Sequence, residues 1–167
     1  MVTRRSILLG TAGVAAVAAA SLGAVRWWNS RATAAGDAHF EVTKTPEAWR
    51  KMLTPAQYAV LREADTERPF TSPLNDEHRK GVFACAGCDL PLFASETKFN
   101  SGTGWPSFYA PIKDNVAQSQ DWSFGMLREE VHCSRCGGHL GHVFNDGPKP
   151  TGLRYCINGV ALKFIPA

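Results

Sequence analysis

Cys85-Ala86-Gly87-Cys88 and Cys133-Ser134-Arg135-Cys136 are two Cys-x-x-Cys pairs of the same spacing, each followed closely by turn-forming Asp or Gly. Two residues between cysteines let both thiolates point at one tetrahedral ion about 2.3 Å away, and four such ligands close its coordination shell. A closed shell leaves no position for water or substrate, so one structural metal ion is expected. Zinc is the expected ion; iron also suits four thiolates, but no other redox signature accompanies the pairs. Because the pairs lie far apart in sequence, the ion would join two distant hairpins as a disulfide might. Two disulfides are the alternative for an exported chain.

Around the pairs, from Arg68-Pro69 onward, Gly, Pro, Asn and Asp recur every few residues between short apolar or aromatic runs, a β-rich texture. Candidate strands are 81–84, 92–93, 105–109, 116–118, 123–128, 130–132, 139–144, 154–157 and 160–164. None is long enough to stand alone, so a mainly β fold of compact antiparallel sheets is expected. Ahead of them, Thr45-Pro46 starts a short helix to about Lys51. Thr54-Pro55-Ala56-Gln57 starts a second, with a capping-box partner at Gln57. The domain is expected over 45–167, after a flexible linker at 35–44.

The first 34 residues have another character. They hold Arg4, Arg5, Arg26 and Arg31 and no acidic residue, and the nineteen residues 7–25 carry no charge. Thr3-Arg4-Arg5-Ser6-Ile7-Leu8-Leu9 ahead of an Ala/Gly/Val run resembles a twin-arginine export signal. At about 1.5 Å per residue the run reaches roughly 28 Å, so a membrane anchor with Trp27 and Trp28 at the interface is the other reading. Gly10, Gly13 and Gly23 weaken its hydrophobicity, and Ala32-Thr33-Ala34 offers small residues for cleavage, so a removed signal and a periplasmic domain are expected. Export of an already folded chain would let zinc load before the cysteines meet an oxidising compartment. The chain has 18 Lys and Arg and 15 Asp and Glu; without the four signal arginines, 14 basic groups face 15 acidic ones. A domain of formal charge near −1 with no basic stripe excludes a phosphate-backbone binder.

Five cysteines less four leave Cys156, in Arg154-Tyr155-Cys156-Ile157-Asn158. A lone cysteine is often buried filler. Arg154, two positions away, would share its side of a strand and favour the thiolate; Asn158 would share that side too. Gly138-His139-Leu140-Gly141-His142-Val143-Phe144 supplies two imidazoles able to exchange protons near neutral pH.

Ser101-Gly102-Thr103-Gly104-Trp105-Pro106-Ser107-Phe108, the His139 to Phe144 run, Gly147-Pro148, Pro150-Thr151-Gly152 and Arg154 to Asn158 together resemble the type B methionine sulfoxide reductases, over about residues 45 to 165. The resemblance implies that Cys156 attacks the sulfur of a methionine R-sulfoxide, free or in protein, and becomes a sulfenic acid. It implies His142 as the acid with His139 assisting, and Asn158 orienting the sulfoxide or a water. Trp105 would wall the methyl pocket, supported by Phe108 and Phe144, and Asp146 would hold a histidine. Many relatives carry a resolving cysteine where this chain has Thr103. An external thioredoxin-like protein or small thiol must then reduce Cys156. Gly159-Val160-Ala161 also departs from the usual Ser-rich continuation, which predicts altered surroundings for the site. A monomer is expected, touching membrane only through an uncleaved N-terminal segment. The rival of another class is a zinc-stabilised binding module; a thiol-disulfide enzyme is disfavoured because the Cys-x-x-Cys pairs lack a βαβ context.

Overall fold

The computed structural model describes residues 40–122, 125 and 127–167. The expected export signal lies outside the described residues, and among those described no helix is long and apolar enough to cross a membrane. Helix α1, Pro46–Met52, begins where Thr45 accepts a hydrogen bond from the Ala48 N–H at 3.3 Å. Helix α2, Pro55–Glu63, carries the reciprocal capping box: Thr54 Oγ1 accepts from Gln57 N at 3.2 Å and Gln57 Oε1 from Thr54 N at 3.0 Å. Val60 and Leu61 bury one face of α2, and Ala64 ends it in a left-handed conformation (φ 54°), turning the chain back.

Among the described residues nine antiparallel strands follow: β1 Gly81–Cys85, β2 Pro91–Ala94, β3 Lys98–Phe99, β4 Ser107–Phe108, β5 Val116–Asp121, β6 Arg128–Cys133, β7 His139–Phe144, β8 Arg154–Ile157 and β9 Leu162–Pro166. They form a three-stranded sheet in the order β2-β1-β9 and a six-stranded sheet in the order β3-β4-β8-β7-β6-β5. The mainly β fold with two leading helices is as expected. Two strands differ. Of the expected strand 123–128, residues 123, 124 and 126 lie outside the described set; among its described residues Arg128 alone is in a strand, paired with Asp121. The last strand starts at Leu162, since Gly159–Ala161 form a 3-10 turn.

Aromatic rings join the sheets. Phe93 stacks on Phe108 at 4.3 Å, Phe83 meets Phe108 edge-on at 5.0 Å, and Tyr155 lies 5.8 Å from Phe93. Phe108 is fully buried there, which stabilises the fold by about 2 to 3 kcal/mol. It therefore cannot support a substrate pocket, as the sequence suggested: in a strand of period two it faces away from Ser107, its neighbour toward the site.

The compact unit starts at Phe40, inside the expected linker. Val42 N donates to Arg135 O at 3.0 Å, and the Phe40 ring packs where a Cβ on Gly137 would lie. Gly137 has φ 65°, so glycine serves both the left-handed turn after the second cysteine pair and the ring laid on it.

Candidate active site and metal centre

The four paired cysteines converge from both sheets: their Sγ atoms all lie within 4.8 Å of one another. Cys85 and Cys136 Sγ are 3.7 Å apart, and Cys88 and Cys133 Sγ 3.5 Å. A tetrahedron with metal–sulfur bonds of about 2.3 Å has edges of about 3.8 Å, whereas a disulfide needs about 2.05 Å. The spacing therefore fits a four-thiolate metal ion. Arg62 braces the centre, donating from Nη1 to Cys136 O and from Nη2 to Gly137 O, both at 3.0 Å, with its guanidinium 5.0 Å from the Trp49 ring.

The second site is written across the six-stranded sheet as one register row. Ser119 pairs with Glu130, Glu130 with His142, His142 with Cys156, and Cys156 with Ser107. Directly paired residues point to the same face with Cβ atoms about 5 Å apart, so these polar side chains line up on the face opposite the Phe108 core. Gly141 lets β7 approach β8 this closely, since a Cβ there would strike the Cys156 carbonyl.

Cys156, His142, Asn158, Trp105 and Phe144 line a cleft of about 120 Å³ together with Thr66, Arg128 and Gly141. Cys156 is half-buried. Burial pushes its thiol up; against this act a 3.7 Å contact with Thr103 Oγ1, the Arg154 charge and Ser107. The expectation that Arg154 favours the thiolate holds in sign, but burial outweighs it. Behind the sulfur, Ser101 Oγ hydrogen-bonds Thr103 Oγ1 at 2.8 Å and Ser107 Oγ at 2.7 Å.

The histidines differ in placement. His142 Nε2 meets Asp121 Oδ2 at 2.8 Å, and Arg128 Nη2 donates to the same oxygen at 2.7 Å. Burial lowers the His142 pKa, opposed by Asp121. His139 is 5% exposed and does not line the cleft; its ring lies 5.5 Å from His142 and its Nδ1 is 2.7 Å from Glu130 Oε1. That bond, with help from Ser119, holds the Glu130 carboxyl down at about 2.

Asp146 holds no histidine. It grips Arg154 through two 2.8 Å bonds, and that guanidinium lies 4.3 Å over the Phe144 ring. Its position past the end of β7 puts it beside β8 rather than beside the imidazoles. Asp121 and Glu130 take the role instead. Sequence reading missed both, because the signal that reveals them is the β5–β6–β7 register, which brings together residues far apart in sequence. Asn158 is 3% exposed, with Oδ1 accepting from Glu67 N at 3.0 Å and Nδ2 donating to Leu140 O at 3.0 Å. One amide hydrogen is left for a ligand.

Comparison with known proteins places this geometry. A family model described as the SelR domain matches residues 53–166. The chain is 58% identical over 127 residues, 75% of its length, to a peptide methionine sulfoxide reductase MsrB of Leptospira interrogans, covering 97% of that protein. It is 60% identical over 127 residues to the protein of that name from Pseudomonas putida strain W619, covering 96% of it. A third, from the archaeon Methanosarcina barkeri, is 60% identical over 124 residues, with 87% of its length covered.

Proposed function

The chain belongs to the SelR-domain family of peptide methionine sulfoxide reductases, and from that membership we propose that Cys156 attacks a methionine R-sulfoxide seated against Trp105, with His142 moving the proton. The activity is that of a peptide-methionine (R)-S-oxide reductase. One observation carries the assignment of the nucleophile: Cys156 is the cysteine outside the four-thiol cluster, and it lies in the cleft directly across from His142.

Burial favours the neutral forms of both Cys156 and His142, so at neutral pH the pair holds the thiol proton. With Nε2–H on the Asp121 carboxylate, Nδ1 is the imidazole nitrogen left to receive it. The sulfur attacks the sulfoxide sulfur, and the proton passes from His142 to the sulfoxide oxygen. The hydroxyl then passes from the substrate sulfur to Cys156 Sγ as the new S–S bond and the substrate S–O bond both break, and Cys156 ends as S–OH. Two electrons move from Cys156 to the substrate, which leaves as the thioether, and no proton is drawn from solvent. The free Asn158 amide hydrogen holds the oxygen, while Trp105 and Phe144 receive the methyl group, a contact that sulfur and aromatic rings favour.

Thr103 stands beside Cys156 where a resolving cysteine would be needed. An external thiol must attack the sulfenic acid, releasing water, and a second thiol must free Cys156. The metal is zinc, supported by the closed four-sulfur donor set; it supplies structural cross-linking and takes no part in the chemistry. The paired arginines at the start of the chain support export of the folded, metal-loaded protein to the periplasm, which the size and location of the mature chain would test. Purified protein given R- and S-methionine sulfoxide with dithiothreitol should reduce the R epimer, and Cys156→Ser should reduce neither. Equal activity of that variant refutes the assignment.

A further inference from the structure

Between α2 and β1 the chain passes along the rim of the cleft, and one residue of this strap touches three parts of the site. Trp105 Nε1 donates to Glu67 O at 3.1 Å. Glu67 N donates to Asn158 Oδ1 at 3.0 Å. The Glu67 carboxylate accepts from the Gly159 N–H and, at 3.1 Å, from the Val160 N–H, in the turn that follows Asn158. The partners are 38 and 91 to 93 residues away in sequence, so none of this is local turn geometry.

We propose that Glu67 is the positioning residue of the sulfoxide site, its backbone aiming the Trp105 indole and the Asn158 amide while its carboxylate anchors that backbone on the Gly159–Val160 turn. The proposal rests on the reading of Trp105 as the methyl wall. An indole can rotate about its side-chain bonds unless its N–H is held, and an asparagine amide can turn end for end unless its oxygen is fixed. Glu67 closes the first freedom through its C=O and, together with Leu140 O, the second through its N–H. The neighbouring ties act elsewhere: Phe70 N and Asn75 Nδ2 donate to Gly104 O at 2.7 and 3.0 Å, fixing main chain beside Trp105 but not the ring. Burial pushes the Glu67 carboxyl up and the two N–H groups push it down, as for a charge held on a turn instead of in water. Gly159 is part of the device, because any Cβ there would collide with Ser72.

The test compares kcat and KM for the R-sulfoxides of S-methyl and S-ethyl homocysteine, with dithiothreitol, in Glu67→Ala, Glu67→Gln and Trp105→Ala. Thr45→Ala, which removes the cap of α1 at a residue lining neither the cleft nor the groove beside Glu67, is the control for lost stability. Glu67→Ala should keep its metal but lose on the order of tenfold or more in kcat/KM for the S-methyl substrate, with the methyl-over-ethyl preference narrowed as in Trp105→Ala. Glu67→Gln, with one carbonyl acceptor remaining, should fall between, and carries the comparison if the alanine variant does not fold. Thr45→Ala should melt earlier with KM and preference intact. Glu67 variants that keep both KM and preference while Trp105→Ala loses them overturn the proposal, as does a Thr45→Ala variant with the same kinetic loss. Retained preference in Trp105→Ala overturns the methyl-wall reading, and this proposal with it.

Discussion

Replacing Phe108 by leucine separates the core from the cleft. The ring is fully buried, stacked at 4.3 Å on Phe93 and edge-on at 5.0 Å to Phe83. Leucine keeps an apolar side chain in place but gives up both ring pairings, each about 0.5 to 1.5 kcal/mol, and leaves a partly filled cavity. A loss of about 2 kcal/mol follows, which for a domain of this size lowers the melting temperature by roughly 8 °C. Ser107, on the other side of β4, still faces Cys156. Below the transition, kcat/KM for methionine R-sulfoxide should therefore stay within about twofold of the parent. Trp105→Ala should show the reverse, a raised KM with a smaller loss of stability. Urea unfolding beside steady-state kinetics on both variants reads the two effects separately. A Phe108→Leu variant of unchanged stability with KM raised tenfold or more would refute the placement of this ring in the core.

Three further outcomes follow from the site. His142 is active as the neutral imidazole and its pKa is lowered, so kcat/KM should hold as pH falls to below the usual histidine range of about 6.5 before declining. Asp121→Asn removes the contribution that raises this pKa, so the acid limb should move lower still while kcat falls; a limb that moves upward contradicts the assignment. Arg154→Met removes the charge that opposes burial at Cys156, so the pH profile of thiol alkylation should shift upward and turnover should slow several-fold. Chelation should release four thiols that are unreactive beforehand and unfold the domain, as expected when binding on the order of 10 kcal/mol holds a structural site together; four thiols that react freely with metal in place contradict the closed shell.

The parts legible in the sequence are those whose physics is local. Thr54 and Gln57 form the capping box they spell, and each Cys-x-x-Cys pair needs only its own turn to point two sulfurs one way. Cys156 stands out by counting, and the histidine run by its spacing. The partners of the histidines were not legible, because Asp121 and Glu130 reach them through strand register, which only the paired sheet sets. Phe108 could have been sorted from Trp105 by the alternation of the expected strand 105–109, which puts the two on opposite faces. Glu67 sits in an unremarkable connector, and only the folded chain brings it to Trp105 and Asn158.

The central claim, that Cys156 alone takes the substrate's oxygen, is tested most directly by a single turnover without reductant. Metal-loaded protein is mixed with one equivalent of methionine R-sulfoxide, and its peptides are weighed. One methionine should form per chain, with the mass of one oxygen, or its trapped adduct, on the peptide that carries Cys156 and no disulfide to any other cysteine. Methionine formed with Cys156 unmodified, or with the oxidation on a cysteine of the metal cluster, would contradict it.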